Sequence, residues 1–218
     1  MFFKKFYRKD EQPFKRIYQI GDTIILDNIE CVIIAVDVYI EGSDYQNIAI
    51  DKNYDLSHYF PEIETFHYSD PWGEGIEETG PFKWGLYGEN LFNSREERED
   101  CLRLGQGFKN TYKYLKEASN IREKLLPGDR GLFLYSYLSK FRHKFGKNWF
   151  LPSVGELMAV PYHELSFEGS TGAYSSSDGF WSSSEEWSYN SYVALLGGKD
   201  KYPKNKYFLS YARLCRVF

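Results

Sequence analysis

Two runs of β-branched residues near the start of the chain, split by a polar pair, constrain its fold more than any other feature. Residues 17 to 37 read Ile-Tyr-Gln-Ile-Gly-Asp-Thr-Ile-Ile-Leu-Asp-Asn-Ile-Glu-Cys-Val-Ile-Ile-Ala-Val-Asp. Val and Ile are stiff side chains that suit a pleated surface better than a helix. Asp27-Asn28 between the runs is a hairpin signal, and a third strand is expected at Asn47 to Asp51, after the turn residues Glu41-Gly-Ser-Asp44. Helical periods appear only in the middle. Ser94 and Glu97 form a capping box before a short helix over about 95–103. Lys109 to Leu126 repeats Tyr112, Leu115, Ala118 or Ser119, Arg122 and Leu125 or Leu126 at helical spacing, and Pro127-Gly128 stops it. Gly131 to Phe145 places Leu134, Leu138, Phe141 and Phe145 on one side. Ser153 and Glu156 cap a short helix after Trp149-Phe-Leu-Pro. Strands then return at 179–184, 191–196 and 207–218. Strands, helices and strands again predict an α+β fold with a mixed, mainly antiparallel sheet flanked by helices and with the two ends of the chain adjacent.

The 218 residues suit one domain over 15–218, since domains usually hold about 100–200 residues. Residues 1–14 read as a basic, aromatic arm, and 54–93 as a long insertion without helical or strand period. Residues 1–20 carry a net charge of plus four, 51–100 minus nine and 101–147 plus eight, within a total of minus four. Such blocks can steer a charged partner; the plainer reading is solvated faces that partly pair with one another. The acidic total argues against a nucleic-acid-coating protein. Three cysteines without CxxC spacing indicate neither a disulfide framework nor a zinc site. No window has the apolar length of a membrane span. The start, MFFKKFYRKDEQPF, lacks an apolar stretch of secretory length, so no signal peptide is expected. That implies cytoplasmic synthesis, which leaves room for later release, for instance in a virus particle.

Four segments in order carry a resemblance: Leu104-Gly-Gln-Gly-Phe-Lys-Asn-Thr111, Trp149-Phe-Leu-Pro-Ser-Val-Gly-Glu-Leu157, Phe180-Trp-Ser-Ser-Ser-Glu185 and Ala212-Arg-Leu-Cys-Arg-Val-Phe218. Their order and spacing resemble the C-terminal domain of Legionella-type collagen-like adhesins and its relatives in bacteria and phages. That family is related to the C-type-lectin-like fold shared with formylglycine-generating enzymes and the variable proteins of diversity-generating retroelements. The resemblance covers about residues 84–218 and implies a C-type-lectin-like fold whose irregular late loops form the ligand face. Within the segments, Asn110 and Thr111 are expected to cap the first long helix. Trp149, Leu151, Leu157 and Trp181 are expected in the core, and Arg213 and Arg216 on opposite faces of a terminal strand.

Between these signatures, residues 166–192 hold ten Ser, three Tyr and two Trp, the composition of antibody paratopes; the plain alternative is a solvated Ser-rich loop. The resemblance puts Tyr174, Trp187, Tyr189, Asn190 and Tyr192 on the ligand face, with Lys199, Tyr202 and Asn205 on the neighbouring loop, 199–207. Enzyme chemistry has little to stand on. The reactive cysteine pair of formylglycine-generating enzymes has no counterpart here, and the four His show no ligand spacing. Glu185 and Glu186 would point to opposite faces of a strand. Asp178, Glu185 and Asp200 lack a calcium-loop pattern, so no metal or other cofactor is expected. The expected function is a noncatalytic recognition module for a glycan or protein ligand, as in adhesion or phage receptor binding. The competing expectation is a structural virion component that buries its aromatic surface against sister subunits or other virion proteins.

Overall fold

The computed structural model describes residues 18–41, 44–52, 55–60, 81–121, 133–161, 179–194 and 200–218. The arm at 1–14 and half of the insertion, residues 61–80, lie outside them. The fold is α+β. Its larger sheet has the order β1-β2-β3-β10-β5, built from β1 (Thr23–Leu26), β2 (Ile29–Tyr39), β3 (Tyr45–Asp51), β10 (Cys215–Val217) and β5 (Trp149–Phe150). Each neighbouring pair is antiparallel. Asp27 and Asn28 both take positive φ, 52° and 66°, as a two-residue hairpin turn requires and short polar residues tolerate. The C-terminal strand β10 pairs with β3, next to the N-terminal hairpin in the same sheet, and the rings of Tyr18 and Phe218 meet edge to face at 5.2 Å. Trp149 Nε1 donates to Asp27 at 2.8 Å and Arg216 pairs with the same carboxylate at 2.7 Å, which ties the first turn to β5 and β10.

The centre of this sheet is covered on both faces. Cys31, Ile33 and Ala49 join one core with Tyr114, Leu138, Phe141, Trp149 and Trp181, while Val32, Ile34, Ile48 and Ile50 join another with Phe150, Leu157, Cys215 and Val217. That explains why β2 reads as an unbroken apolar run from Cys31 to Val36 rather than as an alternation. The helices are α1 (Arg95–Asp100), α2 (Gly107–Ile121), α3 (Leu134–Phe145) and α4 (Val154–Met158). The capping boxes at Ser94/Glu97 and Ser153/Glu156 are both formed. The face of α2 differs from expectation. Asn110, Thr111, Tyr114 and Ala118 are buried, while Tyr112 stands 69% exposed and Leu115 half-buried. Asn110 and Thr111 are therefore not caps. Asn110 Nδ2 donates to the Cys101 carbonyl (2.8 Å), and the Thr111 hydroxyl bridges the Leu151 backbone (2.9 and 3.1 Å), so both polar groups enter the core satisfied.

A second sheet, β6-β7-β8, comprises β6 (Phe180–Trp187), β7 (Asn190–Ala194) and β8 (Lys201–Asn205), all antiparallel. The stretch expected as a loop at 199–207 is thus largely strand, carried at the edge where Pro203 costs no ladder bond. The single terminal strand expected at 207–218 is instead two: β9 (Leu209–Ser210) and β10. β9 pairs with β4 (Phe82–Lys83), which gives the supposedly patternless insertion a strand of its own, alongside a 3₁₀ turn at Leu56–Tyr59. Among the described residues no helix is long and apolar enough to cross a membrane.

Candidate functional site

The site forms at the end of the smaller sheet where the β6–β7 turn lies beside the residues that follow β8, a placement fixed by the pairing of Asn190 with Asn205. Trp187 and Tyr189 come from the first, Tyr207 and Phe208 from the second. Tyr87, from the segment after β4, completes the group. All five rings are between 43% and 55% exposed. Tyr87 lies 5.0 Å from Tyr189 and 6.2 Å from Tyr207, centroid to centroid. Two cations border the rings: Lys83 Nζ lies 3.8 Å from the Tyr207 centroid, and the Arg98 guanidinium 4.5 Å from that of Trp187. Both are within cation–π range.

What holds Tyr87 against a sheet almost a hundred residues later in the chain is a buried ion pair. Glu185 on β6 and Lys206 after β8 are fully buried and 2.5 Å apart. The second Glu185 oxygen accepts the backbone N–H groups of Leu91 (2.7 Å) and Phe92 (3.0 Å). Lys206 Nζ also donates to the carbonyls of Glu89 (2.9 Å) and Leu86 (3.4 Å) and lies over the Trp84 ring. Burial lowers the Lys206 pKa, and the Glu185 carboxylate works against that. With these bonds made, the pair clamps residues 84–92 onto the sheet. Trp84 Nε1 donates to the Ser182 carbonyl (2.8 Å), Trp181 Nε1 to that of Phe82 (2.9 Å), and the Tyr114 hydroxyl to that of Trp84. The clamped segment is conformationally costly: Leu86 sits at φ 53°, between Gly85 and Gly88 at 87° and 86°. A left-handed leucine persists only where its surroundings over-determine it, and these bonds do so.

The expected site residues divide. Trp187 and Tyr189 are in the exposed aromatic group. Asn190, Tyr192 and Asn205 share one face of the sheet, half-buried, with Asn190 Nδ2 donating to Glu186 at 3.1 Å and Lys201 5.5 Å from the Tyr192 ring. Asn205 serves its own turn, accepting the Tyr207 N–H at 2.9 Å. Tyr202 pairs with Val193 and packs against the core instead. Tyr174 and Lys199 lie outside the described residues. The serines that gave the segment its paratope-like composition are partly structural. Ser182, Ser183, Ser184 and Ser191 are fully buried, and the hydroxyls of Ser182, Ser184 and Ser191 donate to the carbonyls of Tyr192, Cys101 and Ser184 at 2.6–2.7 Å. Both Glu185 oxygens are engaged in the clamp. Tyr207 closes the expected loop 199–207 but was not singled out in it; Phe208 and the pairing of Glu185 with Lys206 were missed because nothing local marks them, and Tyr87 offered only its ring, in a stretch without period.

Known protein families and curated proteins give no match to the chain. Among solved structures, a fimbrial protein from Bacteroides ovatus is similar to it at 14% identity and a TM-score of 0.40, over 78% of this chain and 35% of that one. The chain thus spans about a third of that protein's length.

Proposed function

We propose that the chain is a noncatalytic recognition module, of the surface or adhesion type, that grips a glycan or protein ligand with the aromatic end of its smaller sheet. One observation carries the reading: three half-exposed rings from three separate segments, Tyr87, Tyr189 and Tyr207, meet, and a fully buried ion pair fixes the segment that contributes Tyr87. Exposed rings cost solvation without adding to a core, whereas Tyr, Trp and Arg gathered on a rigid base are the residues that dominate binding energy at interfaces. The lectin-like ancestry suggested by the four sequence segments belongs to this proposal, as does a place on a phage particle or cell surface.

A triple variant, Trp187→Ala, Tyr189→Ala and Tyr207→Ala, tests it. These side chains are exposed, so each substitution should change stability by no more than about 0.5 kcal/mol. A glycan array read with the parent and the variant should show binding that the variant loses while its melting temperature stays put. The assembly reading draws on the same residue types, which also favour subunit contacts. It gains if the array is silent and sedimentation shows that the parent self-associates while the variant does not. Equal behaviour of parent and variant in both assays removes the site.

A further inference from the structure

The edges of the three-stranded and five-stranded sheets are finished differently. On the smaller sheet β8 carries Pro203 between Lys201 and Lys204, and the β6 edge is covered where the N–H groups of Trp181 and Ser183 donate to the carbonyls of Tyr211 and Pro152. On the larger sheet β5 is two residues long, both buried. β1 is the exception: it reads Thr-Ile-Ile-Leu, with neither charge nor proline, and Ile25 stands 70% exposed. Proteins ordinarily blunt such an edge with Lys, Pro or a covering segment, because its free N–H and C=O groups pair with any strand that reaches them. Which groups are free follows from the register. Leu26 and Ile29 close a two-residue turn, and Asp22 accepts the Ile33 N–H at 2.9 Å, so the backbone groups of 22, 24 and 26 face β2. Alternation turns those of Thr23 and Ile25 outward, where no backbone group among the described residues meets them. The segment before β1 starts elsewhere: the Tyr18 ring packs on Phe218, which bonds to Asn47 of β3.

We propose that β1 is the contact between two copies of this chain, which pair antiparallel about a two-fold axis at Ile24 and join their five-stranded sheets into one. The strand is complementary to itself. With Ile24 opposite its own copy, Thr23 falls opposite Ile25 of the partner subunit, and every outward N–H meets an outward C=O. A two-fold contact brings like residues together, so a charge in β1 would repel its copy. There is none, and β-branched Ile and Thr suit a cross-strand pair. The nearby carboxylates are engaged within each copy: Asp22 accepts the Gln19 N–H (3.0 Å), Asp27 holds Trp149 and Arg216, and Glu30 holds Lys52 (3.2 Å). A strand that served an unrelated extended peptide would need no such symmetry. Four residues from each copy bury less than the roughly 1,200 Å² at which standard interfaces begin, so the pairing is weak, with a Kd of about 1–100 µM. The contact uses none of the rings at the aromatic end and stands whether or not they bind a ligand.

Sedimentation velocity of the full chain over about 1–500 µM, which spans that range, should show a reversible monomer–dimer equilibrium. Ile25→Lys sets two ammonium groups near each other across the axis and should weaken the dimer at least about tenfold, whereas Ile25→Thr should hold it within about threefold. Because Ile25 is exposed, both variants should melt within about 2 °C of the parent at the lowest concentration. Register is read by crosslinking with oxidised glutathione. Ile24→Cys should form a disulfide-linked dimer, its Cα atoms facing across the axis, and Leu26→Cys should not, since it lies opposite Asp22 of the partner subunit. The three natural cysteines are buried, so the parent is the blank. The triple variant of the aromatic end should dimerise like the parent. The proposal is overturned if the parent stays monomeric throughout, if Ile25→Lys dimerises like the parent, if Leu26→Cys crosslinks as readily as Ile24→Cys, or if the aromatic triple variant loses the dimer.

Discussion

Replacing Lys206 by Met isolates the clamp beneath the aromatic end. Met keeps an unbranched stem against the Trp84 ring, 4.8 Å from the ammonium in the parent, and deletes the charge. Glu185 then stays fully buried with only the Leu91 and Phe92 N–H groups as partners, and the Glu89 carbonyl loses its donor. Removing one member of a buried pair costs about 3–5 kcal/mol, because the survivor is an uncompensated charge. Against a total stability of about 5–15 kcal/mol for an ordinary domain, that is a large fraction. Urea unfolding followed by tryptophan fluorescence should show the midpoint fall with little change in slope. Pairing the substitution with Glu185→Gln should recover part of the loss, giving a coupling energy above about 2 kcal/mol in a double-mutant cycle. Hydrogen exchange should quicken at the Leu91 and Phe92 amides in the single variant, and binding through Tyr87 should weaken with it. A cost under about 1 kcal/mol for Lys206→Met, or a double variant whose loss equals the sum of the two singles, would refute the clamp as the reason this segment is held.

Two further outcomes follow from buried groups elsewhere. Asp51 is fully buried, with Oδ2 unpartnered among the described residues and Oδ1 3.4 Å from the Tyr59 hydroxyl; burial raises its pKa from 3.8 to about 8, and Arg213 opposes the shift. The folded form therefore holds this proton where the unfolded chain has released it. This contribution is complete below about pH 3.8 and is lost as pH rises through about 8, at up to about 1.4 kcal/mol per pH unit. Asp51→Asn should flatten that decline in a series of denaturation curves, and an unchanged slope would show that Asp51 is ionised in the fold. Gly155 in α4 packs so closely that a Cβ there would lie 2.3 Å from the Leu104 backbone nitrogen. Gly155→Ala should cost at least about 1–3 kcal/mol, the usual range for overpacking; a melting temperature equal to the parent's would contradict that packing.

Much of the fold was open to reading because its signals act over a few residues. Asp27-Asn28 encodes the turn by tolerating positive φ, and Ser94/Glu97 and Ser153/Glu156 each close a cap within three residues. Leu134, Leu138 and Phe141 follow a helical period that burial then honours. The face of α2 was misread because period counts apolar residues, and what decides burial at Asn110 and Thr111 is whether a partner waits for each polar group; those partners, on Cys101, Ser183 and Leu151, arrive only with the fold.

The same limit governs the site. Trp187 and Tyr189 flank a hairpin turn, so proximity to a polar turn is enough to suggest their exposure. Tyr87 joins them only because Glu185 reaches the backbone of Leu91, 94 residues away in sequence, and Lys206 reaches the carbonyl of Glu89, 117 residues away. By itself the sequence determined the N-terminal hairpin, the two helix caps and the presence of aromatic residues in excess. Which of those rings face water together was decided by the tertiary structure, since the bonds that hold them form between segments no local rule connects.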